Sequence, residues 1–300
     1  MKRYTRTEID DQLWNELAEK ASPSYIHFYT WFLDTIAPNW NAIIVEQNGK
    51  YISALPLPWR KKLGIRYVFP PYLAQQLGPI SLEPADTKSL INEALKHFSF
   101  FEFYFHHQSK LLNPTVVRRN LTLSLRKEYT HLQAAYSGNT KRNLKKSIKK
   151  GLKMDINEDY QPIIGLFEQN RGKDFPHLLN NDYRYFEKVC EKVKEKQLIE
   201  VIHAKNSEGS LLAGAIFFKH FDRITFMFSG ISPEGKKHHA MFALIDHAIQ
   251  QHCGTECLLD FEGSETPGVF EFYKGFGAEL QTYFFLQRNN LPWPLRLLKG

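Results

Sequence analysis

Near the end of the chain the run Leu258-Leu259 stops at Asp260-Phe261-Glu262. On a strand, alternation places the two carboxylates on one face with Phe261 opposite. The carboxyl end of a sheet strand beside a crossover is where ligands usually bind in open α/β sheets. There, either carboxylate can take a proton from an attacking ammonium, directly or through water, or hold a substrate amine. The plainer alternative is that one caps the next helix or pairs with Lys274. That helix, within "PGVFEFYKGFGAEL", is short and aromatic. Phe270, Tyr273 and Phe276 recur at a spacing of three, a pattern that also describes core packing. Gly277 reads as a helix stop requiring positive φ.

A second kind of chemistry is anion binding. From Gly138 to Met154 the sequence "GNTKRNLKKSIKKGLKM" carries seven Lys or Arg and no acid. Lys141, Lys145 and Lys149 lie four apart, as do Arg142, Lys146 and Lys150, while Leu144, Ile148 and Leu152 form a narrow apolar stripe. Stacked like charges cost a few tenths of a kcal/mol per pair on a helix. A phosphate-bearing partner would offset that cost: transfer RNA, a nucleotide-linked sugar, coenzyme A or an anionic membrane surface. A solvated inter-domain helix is the equal alternative. Aromatic interleaving is absent, so base stacking is not suggested. Lys236, Lys237 and His238 stand at another helix start, where cations oppose the helix dipole and an anionic ligand would relieve them.

Metal chemistry is not expected. Of His238, His239, His247 and His252 only His239 and His247 share a helix face, with no carboxylate at metal spacing, and Cys253 and Cys257 have no matching pair.

The surrounding chain has 300 residues, 43% apolar and 24% charged, an ordinary globular composition with room for one large or two medium cores. The net charge is +7, and removing the basic segment leaves 32 cationic against 32 acidic residues. No apolar run is long enough to span a bilayer, the N-terminus lacks a secretory h-region, and three cysteines make no disulfide framework. These features predict a cytoplasmic, reduced protein.

Several elements must position these residues. "TEIDDQLWNELAEK" predicts a helix capped by Thr7, and a second helix starts at Ser22-Pro23. Asn48-Gly49 between two apolar runs predicts a hairpin. A helix near 86–96 and strands in "FSFFEFYF" and "VVRRNLTLSL" complete the first half. The second half reads β-α-α-β-β-β-α-β-α-β, a mixed sheet with helices packed on it.

That order resembles the GNAT acyltransferase superfamily, and "PGVFEFYKGFGAEL" is similar to its late motif, a short helix ending in Tyr and followed by Gly-Phe. "KRNLKKSIKKGLKM" and "LDFEGSETPG" resemble the FemAB-like branch, and "LGIRYVFPPYLAQQLGPIS" resembles a first-domain loop of its bacterial members. The resemblance implies an α/β fold of two tandem GNAT-like domains joined by a basic helix. The expected boundaries are 1–130, a linking helix over 131–153, and 154–300, with the last residues packing back on the first domain. It implies transfer of an acyl or aminoacyl group from acyl-CoA or aminoacyl-tRNA to an amine, such as a cell-wall or lipid precursor. The alternative is a non-catalytic protein that binds RNA or another phosphate-bearing partner. Tyr273 would then donate a proton to the leaving group, with Glu262 the first choice of base ahead of Asp260. Gly235, Lys236, Lys237, His238, Ser264 and Lys274 would hold the donor, and Lys141, Arg142, Lys145, Lys146 and Lys149 would meet substrate or phosphate. The superfamily's usual Arg/Gln-x-x-Gly-x-Gly/Ala loop is replaced here by "KKHHAM", with Gly235 the nearest glycine.

Overall fold

A computed structural model describes residues 1–109, 111, 113–170, 180–263, 265–293 and 296. The chain divides into two compact units, one formed by 1–118 with 282–300 and the other by 119–281.

In the first unit, β1 (Lys2–Thr5) lies beside β2 (Trp40–Gln47), which pairs with β3 (Lys50–Lys62). Asn48 and Gly49 both take positive φ, 52° and 71°, and close the expected hairpin. α1 (Asp11–Lys20) is capped by Asp10, which accepts from the Gln12 and Leu13 N–H groups, in place of the expected Thr7. α2 (Thr30–Ile36) begins later than Ser22-Pro23 suggests, after a 3-10 turn at Ile26–Phe28. The strand order continues through β4 (Ile65–Val68) to β6 (Phe100–Phe105), with the short β5 (Ile80–Ser81) on β3 and α3 (Thr87–Leu95) preceding β6. Phe101, Phe103 and Phe105 share one face of β6 and are fully buried, while Trp14 and Trp40 meet edge to face at 5.0 Å.

The chain enters the second unit within β7 (Val116–Ser124). There follow α4 (Tyr129–Ala134), α5 (Gly138–Ile148), β8 (Lys153–Asn157), α6 (Gln161–Asn170) and α7 (Asn180–Glu195). Then come β9 (Ile199–Lys205), β10 (Leu211–His220), β11 (Arg223–Ile231), α8 (Pro233–Lys237), α9 (Ala240–His252), β12 (Leu258–Asp260) and α10 (Pro267–Lys274). The strand order is β7-β12-β11-β10-β9-β8, antiparallel except for β11 with β12, whose parallel pairing requires the helical crossover. β13 (Glu279–Asn289) then returns the chain to the first unit, where it pairs antiparallel with β6.

The two faces of this second sheet are covered differently. Leu244, Ile245, Ala248 and Ile249 of α9 are buried with Phe217, Phe226, Leu259 and Phe261. On the other face α6 lies so close that a Cβ at Gly214 would stand 2.5 Å from Ile163 Cγ1, and one at its cross-strand partner Gly230 would stand 2.6 Å from the Ile163 carbonyl oxygen.

The basic helix α5 belongs to this second unit. The reason is its apolar stripe: Leu144 is buried in the same core as α9. The expected linker over 131–153 is therefore part of the body of the second unit.

Candidate active site

β11 and β12 are in register only from Arg223–Thr225 against Leu258–Asp260. β12 then ends, whereas β11 continues to Ile231 with β10 as its strand partner. Just past the end of the parallel pairing β11 carries a bulge: Phe226 pairs with Phe217 and Phe228 with Ile216, leaving Met227 outside the ladder. The extra residue shifts the side-chain phase. Phe226 packs toward Phe261 and Tyr273, while Phe228 turns to Phe167 and Phe186 at 4.8 and 4.9 Å. The carboxyl end of β12 thus borders an opened, irregular stretch of sheet beside its parallel neighbour, and strand carboxyl ends are where open α/β sheets take their ligands.

Asp260 is buried, and its carboxylate is engaged on several sides. The Arg223 guanidinium donates to Oδ2, while Asn120 Nδ2 and the Glu262 N–H donate to Oδ1 at 3.0 and 2.9 Å. This corrects the expectation that Asp260 and Glu262 stand side by side on one strand face, with Glu262 the first choice of base and Asp260 the second. The strand stops at Asp260, and Glu262 adopts φ 52° in the turn that Asp260 itself holds. Asp260 pairs with Arg223 and not with Lys274, which is exposed at the end of α10. Glu262 is half-buried, and burial together with the Asp260 charge pushes its carboxyl up to about 8, against a smaller opposing pull from Arg223. A carboxyl poised there exchanges protons near neutral pH. Gly263 completes the turn at φ 58°, and a Cβ there would stand 2.2 Å from the Arg119 carbonyl oxygen.

α10 brings Tyr273 to this turn. Its ring stacks on Phe261 at 4.7 Å and 19°, and meets Phe226 edge-on at 5.8 Å. The aromatic spacing noted in the sequence is therefore core packing in part: Phe270 and Phe276 are buried, while Tyr273 is half-buried. Gly277 has φ 83° and stops the helix as expected. The end of α10 also anchors the basic helix. The Ser137 N–H donates to the Gly275 carbonyl at 2.9 Å, and the Ser137 hydroxyl then accepts from the Thr140 N–H to cap α5.

The start of α9 adjoins both. Phe242 in its first turn touches Phe272 at 4.9 Å. The residue before the helix, His239, has φ 54° and provides no side-chain cap. Burial, then the charges of Lys146, His238 and Lys150, hold its imidazole below the ordinary range. Two basic segments far apart in sequence therefore meet here. Gly235, in contrast, is not displayed: its N–H donates to the Ser232 hydroxyl, and a Cβ would stand 2.2 Å from the Leu212 carbonyl oxygen. Its role is close packing of α8 on β10, which corrects the expectation that it cradles a donor. Lys236 and Lys237 are exposed in the last turn of α8 and His238 is its C-cap, so these residues close a helix, where cations suit the dipole, in place of the expected helix start. Ser264 lies outside the described residues, and among the described residues no cluster of His, Cys, Asp and Glu could hold a metal ion.

Residues 138–274 match the acetyltransferase (GNAT) domain family, a span that begins at α5 and ends one residue beyond Tyr273. This stretch, just under half of the chain, is similar to GNAT domains. The fold extends the likeness. The crystal structure of FemX superposes with a TM-score of 0.67, covering 100% of each chain at 13% identity. A conserved protein of unknown function from Bacteroides thetaiotaomicron gives 0.58 over 92% of this chain and 97% of that one, at 9% identity. L-PGS from Bacillus licheniformis gives 0.55 over 96% and 95%, at 12%. At these identities the likeness is one of fold. Among curated proteins no sequence matches. The chain has the mixed α/β fold of FemX.

Sequence reasoning missed Arg223, Asn120 and the bulge at Met227. Arg223 opens the apolar strand "RITFMF" as its one charge, and a charge at the head of a buried strand is a signal that a buried partner exists. The bulge leaves no such mark, because Met, Phe and Ser suit either phase.

Proposed function

We propose that the protein transfers an acyl or aminoacyl group from a phosphate-bearing carrier, acyl-CoA or aminoacyl-tRNA, to an amine. The observation that carries this reading is the stack of Tyr273 on Phe261, the residue joining the two carboxylates, at the opened end of β12 in a stretch similar to GNAT domains. Glu262 takes a proton from the attacking ammonium. The amine nitrogen attacks the carbonyl carbon, and the bond from that carbon to the sulfur or oxygen of the carrier breaks. Tyr273 gives its proton to the departing atom and takes back the second proton of the attacking nitrogen, leaving a neutral amide. Asp260 takes no proton; it holds the Glu262 turn. The carrier's phosphates lie against His238, Lys236 and Lys237 with Lys146 of α5 and Lys150 just past its end, near the α9 N-terminus, whose dipole favours an anion.

The test is calorimetric titration with acetyl-CoA at low and moderate salt, followed by transfer assays on an amine panel. Micromolar binding with transfer supports a thioester donor. Absence of binding, with transfer from aminoacyl-tRNA, supports the ester donor. Transfer from neither carrier sinks the reading.

One observation favours a second reading. Gly235 is consumed by packing while the cations nearby remain, a pattern that also suits a phosphate-binding protein without chemistry. Steeply salt-dependent affinity for nucleic acid with no transfer activity would select it.

A further inference from the structure

The basic helix carries more charge than a single donor site requires. Lys141, Arg142, Lys145, Lys146, Lys149 and Lys150 are all exposed, and among the described residues none forms a salt bridge with a carboxylate. Some lysines elsewhere have a local carboxylate, as in Lys192 with Glu195, Lys205 with Asp155 and Lys96 with Glu93, whereas on this one helix six cations without one are concentrated. On a helical wheel these six cations occupy one continuous arc. Lys146 and Lys150 form the edge of that arc beside His239. The opposite edge is Ile148, 69% exposed although Leu144 one turn earlier is buried. Between Ile148 and the His239 side lie Lys145, one helical turn before Ile148, and Lys149. Lys141 is partly engaged, donating to the Ala134 carbonyl at 2.7 Å.

An outer row of cations bordered by a solvent-facing isoleucine fits a surface offering negative charge and hydrocarbon together. We propose that Lys145, Lys149 and Ile148 dock this helix on an anionic phospholipid surface, the lysines meeting lipid phosphates and Ile148 entering the acyl boundary. The helix carries no aromatic side chain on which bases could stack, which disfavours single-stranded nucleic acid as the occupant. Basic residues near an anionic leaflet add attraction that salt weakens, whereas burial of an apolar side chain is largely indifferent to salt. The inference uses none of the residues assigned to proton transfer and stands apart from the transfer reading.

The experiment is co-sedimentation of the full chain with vesicles of phosphatidylcholine alone and with about one third phosphatidylglycerol, at low and high salt, alongside titration with a duplex RNA. The expected result is binding to the anionic vesicles only. Lys145→Gln with Lys149→Gln should lower that partition by roughly tenfold or more. Ile148→Ser, which leaves the charge untouched, should lower it severalfold and leave any RNA affinity unchanged. These three side chains are exposed, so unchanged melting temperatures confirm that the variants fold. No binding to anionic vesicles overturns the proposal. So does binding that Ile148→Ser leaves intact, or RNA affinity lost with the two lysines while vesicle binding persists.

Discussion

Arg223 at the head of β11 and Asp260 at the end of β12 form a buried ion pair, set diagonally across two parallel strands. The pair lies where the strands part, and Asn120 and the Glu262 N–H share the same carboxylate. It joins the last ordered rung of the sheet to the turn that presents Glu262.

The energetic consequence is asymmetric. Removing one partner of a buried, hydrogen-bonded pair typically costs about 3–5 kcal/mol, because the other charge stays behind. Exposed pairs contribute about 0–1 kcal/mol. Asp260→Ala should therefore destabilise the second unit by about 3–5 kcal/mol. Glu256→Ala, which removes the exposed partner of Arg126, should change stability by less than about 1 kcal/mol. Urea denaturation of both variants measures the difference, and equal losses would mean that the buried pair does not hold the strand ends.

Glu262 should leave a signature in pH. Its carboxyl is raised to about 8 by burial and by Asp260. As the base it must be ionised, so turnover should rise with pH and level off above about 8, and Glu262→Gln should remove that limb. Stability has the opposite sense. Below the ordinary carboxylate range the group is protonated folded and unfolded, and contributes nothing. As pH rises toward about 8 the unfolded state ionises first, and the native state is progressively penalised. Glu262→Gln should therefore match the wild type near pH 4 and exceed it in stability near pH 9. Thermal melts across that range test this, and a pH-independent difference would contradict a raised carboxyl.

Tyr273→Phe separates the phenol from its ring. The stack on Phe261 and the edge contact with Phe226 need only the ring. The variant should keep stability within about 1 kcal/mol and lose on the order of a hundredfold or more in turnover. Unchanged turnover would remove the acid role and leave Tyr273 as packing.

The sequence made the element order readable because hydrophobic period changes sharply from strand to helix, and Asn48-Gly49 and Gly277 do in space what their chemistry requires. Tyr273 and the Asp260–Glu262 turn were legible as residue types. Their arrangement was not, because alternation holds only while a strand continues, and β12 ends at Asp260. The meeting of Lys146 and Lys150 with His239 was equally hidden. It depends on Leu144 packing into the α9 core, a contact between segments that no local pattern links.

Gly263 offers a test of the turn itself. Its φ of 58° is one that L side chains rarely adopt, and a Cβ would stand 2.2 Å from a backbone oxygen of Arg119 that cannot swing away. Gly268, five residues on in the exposed first turn of α10, has nothing within 4 Å of the same added carbon. Gly268→Ala should be neutral or stabilising by up to about 1 kcal/mol, through helix propensity and a less flexible unfolded chain. Gly263→Ala should cost more than about 1 kcal/mol from backbone strain alone. Because relief of that clash moves the Glu262 turn away from Asp260, it should also lower the pH at which Glu262 titrates, which carbon-13 NMR of the labelled carboxyl can read. A Gly263→Ala protein as stable as Gly268→Ala, with the Glu262 titration unmoved, would show that the turn tolerates a side chain and that Asp260 does not fix the position of Glu262.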